Sequence, residues 1–463
     1  ILFIFILNDC LSQEFKTENI NKINKDYKII NLPGLEFEPN FDHYSGPGCS
    51  SMDGLLKEMG PYLINSDGRS LRLNKYSWNM NASVVYIESP VGVGYSYSKA
   101  WSLIEIDDKQ TALENYEAIK QFFIKYPSFR NNYLFISGES YAGVYVPSLT
   151  ALIVDGQSKY PLKLTGMMIG NGYMNAKLDI DTLVKFAYSH GLVDEKLWEL
   201  LREECCNGCF DGCDLSRLQG FCNEKVEEII EFVWHGGLNP YDLYRDCDAF
   251  STLNSPKMHI NSNIVNEIEE SNNNTDPGVP CLDVRKALNI PSHLGNWRIC
   301  NEDVSNNYKQ IYTDMSPFVK KILKANVKTL LYYGDTDMAC NFLLGQKFAS
   351  QLGFKVIMDS KPWRVNGQIA GLKTKYTNGL TFITVRGSGH MVPEWKGPQI
   401  FYAIQKFLSY GEKNKINQLF IGLFVKIQII GLNKVIIIIQ NGIITKNVGE
   451  ILSGHKLEIL LNY

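Results

Sequence analysis

Histidine is scarce in this chain, with seven in 463 residues, so an imidazole-dependent chemistry has few places to sit. No Gly-x-x-x-x-Gly-Lys-[Ser/Thr] phosphate loop occurs. Gly92-Val93-Gly94 lacks the third glycine and the following helix of a dinucleotide fingerprint. No apolar run reaches the roughly 18 residues of a membrane-spanning helix, so no membrane span is expected. Basic and acidic residues nearly balance, 46 against 49, and no Lys/Arg cluster stands out. Nucleic acid is therefore not an expected partner. Neither a cofactor nor a metal ion is expected.

Cysteine, in contrast, is plentiful: eleven, many for a cytosolic enzyme. Cys205, Cys206, Cys209, Cys213 and Cys222 crowd one polar stretch. Cys206-x-x-Cys209 has zinc-ligand spacing, but the adjacent Cys205-Cys206 and the lack of a nearby histidine favour disulfides. Asn81-Ala82-Ser83 and Asn273-Asn274-Thr275 are glycosylation sequons. Together these features point to the secretory pathway.

With 45% hydrophobic residues, the chain can bury one large α/β core with an insertion. Residues 1–14 open on Ile1–Leu7, which reads as the apolar heart of a partial signal peptide; a buried strand is the competing reading. Residues 15–175 carry the first part of an α/β pattern. Residues 176–300 turn helical, polar and Cys-rich, as a cap inserted between sheet halves would. Residues 301–409 return to strand–helix alternation. Residues 410–463, rich in Ile, Lys and Asn with little period, read as an atypical tail outside the fold, with a membrane-surface segment as the minor reading.

The sharpest local signal is Gly138-Glu139-Ser140-Tyr141-Ala142-Gly143, between the strand-like Tyr133–Ile136 and a helix-like stretch. Small residues around Ser140 permit the cramped strand-to-helix turn that lifts a serine hydroxyl clear of a sheet. Ala142 stands where the general pattern has glycine. A lone match could be an ordinary Gly-rich corner, because an activated serine needs a base and an orienting carboxylate. Both follow in the order Ser, Asp, His. Thr329–Tyr333 reads as a strand running into Gly334-Asp335-Thr336-Asp337, and Leu380–Val385 as another ending in Gly389-His390. Of the aspartates, Asp335 suits a turn cap, while Asp337 lies further out where it can reach an imidazole. His455 also follows them, but in the tail.

These motifs carry a resemblance. Gly46-Pro47-Gly48-Cys49-Ser50-Ser51, Ser89 to Ser98, Gly138 to Gly143, Gly170-Asn171-Gly172, Gly334 to Asn341 and Gly389 to Pro393 occur in the order of the serine carboxypeptidases. The chain resembles that family over roughly residues 30–409. The resemblance implies an α/β-hydrolase fold with a mostly parallel central sheet and an inserted, disulfide-bonded helical cap. It implies acyl-enzyme release of C-terminal residues, hydrophobic ones preferred, from peptides. Ser140 would be the nucleophile, His390 the base and Asp337 its orienting acid, as the second aspartate of Gly-Asp-x-Asp-x-x-Cys-Asn. Gly46 and Tyr141 would supply oxyanion-hole amides. Glu139, with Glu58 beside it, would grip the substrate carboxylate. A glutamate can donate to a carboxylate only when protonated, so activity is expected at acid pH.

The resemblance further implies the disulfides Cys49–Cys300, Cys205–Cys222 and Cys247–Cys281, with Cys206 bound to Cys209 or Cys213 and Cys340 a free pocket thiol. It implies a lysosomal or secreted protein, and leaves room for a homodimer and for lysosomal glycosidase partners. Ser251–Thr275 is polar enough to be excised on maturation. Other readings of the same triad are an acyltransferase or esterase, and an inactive or damaged relative that protects lysosomal hydrolases by binding them. The chain also departs from the family. His43-Tyr44-Ser45-Gly46 runs straight into Pro47, so Tyr44 and Ser45 replace the carboxylate-binding Asn and first Gly, and several N-terminal strands are missing. Mis-joined exons would explain that gap and the unusual ends.

Overall fold

The computed structural model describes residues 2–7, 47–65, 71–98, 106–246, 294, 297–409, 434–439 and 442–447, the first and the last two stretches by their backbone alone. In chain order the strands are β1 (Leu2–Leu7), β2 (Tyr62–Ile64), β3 (Leu71–Leu73), β4 (Ser83–Glu88), β5 (Tyr133–Glu139), β6 (Leu164–Gly170), β7 (Lys328–Gly334), β8 (Val356–Val365), β9 (Gln368–Tyr376), β10 (Leu380–Val385), β11 (Lys434–Ile439) and β12 (Gly442–Asn447). The helices are α1 (Asp108–Lys125), α2 (Ala142–Gly156), α3 (Ala176–Ser189), α4 (Glu195–Leu200), α5 (Phe221–His235), α6 (Glu302–Asn307), α7 (Ser316–Lys324), α8 (Phe342–Gln351), α9 (Val392–Trp395) and α10 (Gly397–Leu408).

One sheet runs in the order β12-β11-β4-β1-β5-β6-β7-β10-β9-β8. Its heart, β5-β6-β7-β10, is parallel. Strand side chains alternate faces, and both faces of these strands are covered. Leu134 and Ile136 of β5 join Leu331 and Tyr333 of β7 in the core under α1, α2 and α7. Phe135, Leu330 and Tyr332 point the other way, into a second core with Trp78, Trp363 and Ile400 and Ile404 of α10. Parallel strands with helical crossovers bring every strand's C-terminal end to one rim, where an open α/β sheet builds its site. The cap has a small core of its own, in which Val184 and Ala187 of α3 meet Leu201, Leu215, Val226 and Ile229.

Two further segments join the sheet. Leu2–Leu7, read as part of a signal peptide, lies in the sheet, antiparallel to both β4 and β5. The tail, read as outside the fold, contributes β11 parallel to β4 and β12 antiparallel to β11. The sheet is accordingly mixed rather than mostly parallel. The physical reason is common to both. A sheet short of strands exposes unpaired N–H and C=O groups on β4 and β5, and extended apolar segments satisfy them.

Candidate active site

The site begins at the end of β5. Ser140 sits at φ 65, a left-handed conformation that a non-glycine residue adopts only when its surroundings enforce it. Its amide donates to the carbonyl of Gly170 at 3.1 Å, and its carbonyl accepts from Gly143 at 2.9 Å and from Tyr173 at 3.0 Å. Gly143 has no space for a side chain, since a Cβ would lie 2.4 Å from the Tyr173 carbonyl oxygen. Ala142 is fully buried and its methyl is accommodated, so the departure from glycine there costs nothing visible. Tyr141 is the N-cap of α2, which puts its amide at the positive end of the helix. Its ring stacks on Tyr173 and its hydroxyl donates to Asp108 at 2.8 Å.

The loop after β7 buries Asp337 completely. One carboxylate oxygen, Oδ2, lies 2.8 Å from Nδ1 of His390 and accepts from Asn171 Nδ2 at 2.7 Å and the Cys340 amide at 3.2 Å. The other, Oδ1, accepts from the Ala339 amide at 3.0 Å. Asp335 points elsewhere and takes the Gly387 amide at 2.6 Å, which pins the turn before His390. Asn171, at the end of β6, also accepts from the Gly334 amide at 3.0 Å, so one side chain ties β6 to the acid loop. His390 follows β10 and is 3% exposed. Burial pushes its pKa down, but the charge and hydrogen bond of Asp337, with the charge of Glu139, outweigh this and raise it above the ordinary value.

Ser140 Oγ and His390 Nε2 line the same small cavity, and neither has a hydrogen-bond partner there. Glu139 and Asp53 share that cavity wall with Tyr241 and Met391. Glu139 is 2% exposed, and burial lifts its carboxyl to about 8 against the lowering pull of His390. Glu58 lies behind it rather than on the wall. Neither of its carboxylate oxygens has a partner. Burial first, then the charges of Glu139, Asp53 and Glu394, push its pKa well up. The arrangement brings together a hydroxyl, an imidazole bonded to a buried carboxylate, and a second carboxyl whose burial favours its protonated form.

Gly48, Cys49 and Ser50 also line the cavity, and this segment is held sideways. Cys49 is bonded to Cys300. Ser50 N–H donates to the Ile299 carbonyl at 2.6 Å and Asn301 N–H to the Gly48 carbonyl at 3.0 Å. Ser50 Oγ donates to buried Glu88, which also accepts from the Tyr95 amide at 2.9 Å and Trp297 Nε1 at 3.2 Å. In the cap, Cys205 is bonded to Cys222 and Cys206 to Cys213, so the Cys209 alternative is not realised and that thiol is free and exposed. Cys340 is a buried free thiol, its pKa pushed well up by burial and then by Asp179 and Asp337. Asn81 is exposed. Gly46, Asn273 and the Cys247–Cys281 pair lie outside the described residues. Sequence reasoning assigned no role to Asn171, Asp53, Glu88 or Tyr241. For Asn171 a signal existed: it ends a strand on the same rim as the serine.

A serine, a histidine and a buried aspartate gathered at the strand ends of this sheet fit an α/β-hydrolase. The model of the serine carboxypeptidase family matches residues 45–410, and the chain belongs to that family of peptidases. It is 37% identical over 453 residues to the lysosomal protective protein of Mus musculus, covering 82% of this chain and 92% of that one. It is 34% identical over 440 residues to serine carboxypeptidase ctsa-4.1 of Caenorhabditis elegans, with 82% and 93% covered. Among solved structures it resembles Kex1(delta)p, a prohormone-processing carboxypeptidase from Saccharomyces cerevisiae, at TM-score 0.60 and 23% identity, covering 79% of this chain and 81% of that one. Among the described residues no helix is long and apolar enough to cross a membrane.

Proposed function

We propose that this carboxypeptidase works through Ser140, His390 and Asp337, with Glu139 gripping the substrate's terminal carboxylate. The observation that carries the reading is the pairing of an unpartnered Ser140 Oγ and His390 Nε2 on one cavity wall with the buried Glu139 carboxyl. His390 Nε2 takes the hydroxyl proton as Ser140 Oγ attacks the scissile carbonyl, then passes it to the departing amine; water reverses the sequence to free the enzyme. Asp337 holds the imidazole with Nδ1–H toward its carboxylate. The Tyr141 amide, with that of Gly46, stabilises the oxyanion, each donor worth about 3 kcal/mol. A protonated Glu139 donates to the substrate carboxylate; its burial, followed by the charges of Asp337 and Asp53, discourages ionisation. Peptidase activity then belongs to the acid-to-neutral range and fails as Glu139 ionises near about 8. Protonating Glu139 also removes one of the charges that raise His390, which favours the neutral base.

The site favours peptides ending in a hydrophobic residue and works in a lysosomal or secreted setting, with Asn81 glycosylated. A second copy and lysosomal glycosidases are the partners proposed, in keeping with the likeness to the lysosomal protective protein of Mus musculus. The test is hydrolysis of paired peptides with free and amidated C-termini. Single-residue release from the free form alone, lost in Ser140→Ala, is the expected outcome. Equal cleavage of both forms contradicts the carboxylate grip.

A further inference from the structure

Residues 239–245 leave the cap and run behind both loops that carry the acid and the base. The Pro240 carbonyl accepts from the amides of Met338 at 3.0 Å and Ala339 at 2.9 Å, directly beyond Asp337. The Leu243 amide donates to the Thr336 carbonyl at 3.0 Å, directly before it. The Thr336 hydroxyl donates to Asp242 Oδ1 at 2.8 Å. On the other side the His390 amide donates to the Tyr241 carbonyl at 2.8 Å. Gly389 packs so tightly there that a Cβ would lie 2.1 Å from the Tyr241 carbonyl oxygen and 2.6 Å from the Asp242 Cβ. Asp242 Oδ2 accepts from Arg245 Nε at 3.0 Å, and the guanidinium of Arg245 lies 4.4 Å from the ring centre of Trp395 in α9, just after His390.

We propose that Asp242 is a positioning residue that sets the distance between the Asp337 loop and the His390 loop. Asp337 and His390 are 53 residues apart in sequence and share a bond of 2.8 Å between two loops, which on their own would sample many spacings. The strap meets both loops through main-chain acceptors, and Asp242 is where it is anchored. Asp242 is buried, and its carboxylate holds Thr336 on one side and Arg245 on the other. Misplacing a catalytic group by about 1 Å costs on the order of a hundredfold in rate.

The inference rests on the triad reading above, and the test separates the two. Asp242→Ala, Asp242→Asn and Thr336→Val are made in the full chain, and kcat is expressed per active site titrated with a fluorophosphonate. Asp242→Ala is expected to lower kcat about tenfold or more with KM changed less than about threefold. Asp242→Asn restores most of the loss, because its amide oxygen still accepts the Thr336 hydroxyl. Thr336→Val reproduces the loss at nearly constant volume and adds little to Asp242→Ala, as residues acting through one bond do. It also carries the test if Asp242→Ala does not fold. A purely structural role would lower the titratable fraction and leave kcat per site unchanged. Per-site kcat within about twofold of wild type in Thr336→Val overturns the inference and leaves the triad standing. A wild-type protein that neither titrates nor hydrolyses peptides overturns both.

Discussion

The two walls of the cavity are built by different physics. Ser140, Asp337 and His390 stand just past the ends of β5, β7 and β10, in the parallel heart of the sheet. Their positions follow from strand register, and each side chain is fixed within a few residues of a buried strand. The wall residues Gly48, Cys49 and Ser50 are instead tethered laterally by the Cys49–Cys300 bond, by Ile299 and Asn301, and by Glu88. One side of the cavity is thus anchored to the sheet, and the other to cross-links.

Breaking the anchored side gives the largest effect. Asp337→Asn keeps the shape but removes the charge that orients the imidazole, and kcat should fall about 10⁴-fold. Steady-state kinetics at saturating peptide reads this directly. Breaking the tethered side should act differently. Cys49→Ser with Cys300→Ser is expected to cost about 2–5 kcal/mol of stability, with KM rising more than kcat falls; denaturant unfolding and paired kinetics check both. Asn171→Ala leaves Asp337 without its 2.7 Å donor, and losing a bond to a buried charge costs about 1.5–3 kcal/mol. It should slow acylation without altering KM, as stopped-flow measurement would register.

Glu139 ends β5 on the sheet-anchored side, and pH isolates its role. Its carboxyl is raised to about 8, so the native state holds a proton that the unfolded state has released above the ordinary value of 4.5. The unfolded state binds fewer protons in that window, so stability is fullest near pH 4.5 and declines as pH rises toward 8. Glu139→Gln should flatten that decline in thermal midpoints and remove the alkaline loss of peptidase activity, because an amide donates at every pH. The smallest effect belongs to Cys209→Ser: an exposed free thiol outside both walls should change stability by no more than about 0.5 kcal/mol.

The same contrast explains what the sequence disclosed. The Ser140 corner, Asp337 and His390 were legible because each follows an apolar strand pattern, and because their order fits one fold. The Glu139–Glu58 proximity came only through family resemblance, since nothing local relates residues so far apart. The strap at 239–245 and the Glu88 anchor were illegible for the same reason. The pairing of Cys206 with Cys213 was undecidable, because spacing does not set connectivity. Leu2–Leu7 and the tail stay ambiguous in the sequence, because an apolar run looks alike as a leader and as a strand. Only the unpaired edges of β4 and β5, a tertiary fact, distinguish the two.

The central claim is that His390 converts the hydroxyl of Ser140 into a nucleophile. Fluorophosphonate labelling with mass-spectrometric mapping, run in parallel on wild type and His390→Ala, tests it most directly. A single adduct on Ser140 that forms at least about a hundredfold faster in wild type is the result expected for general-base catalysis of this size. An adduct on another serine, or equal labelling rates in the two proteins, would contradict the account.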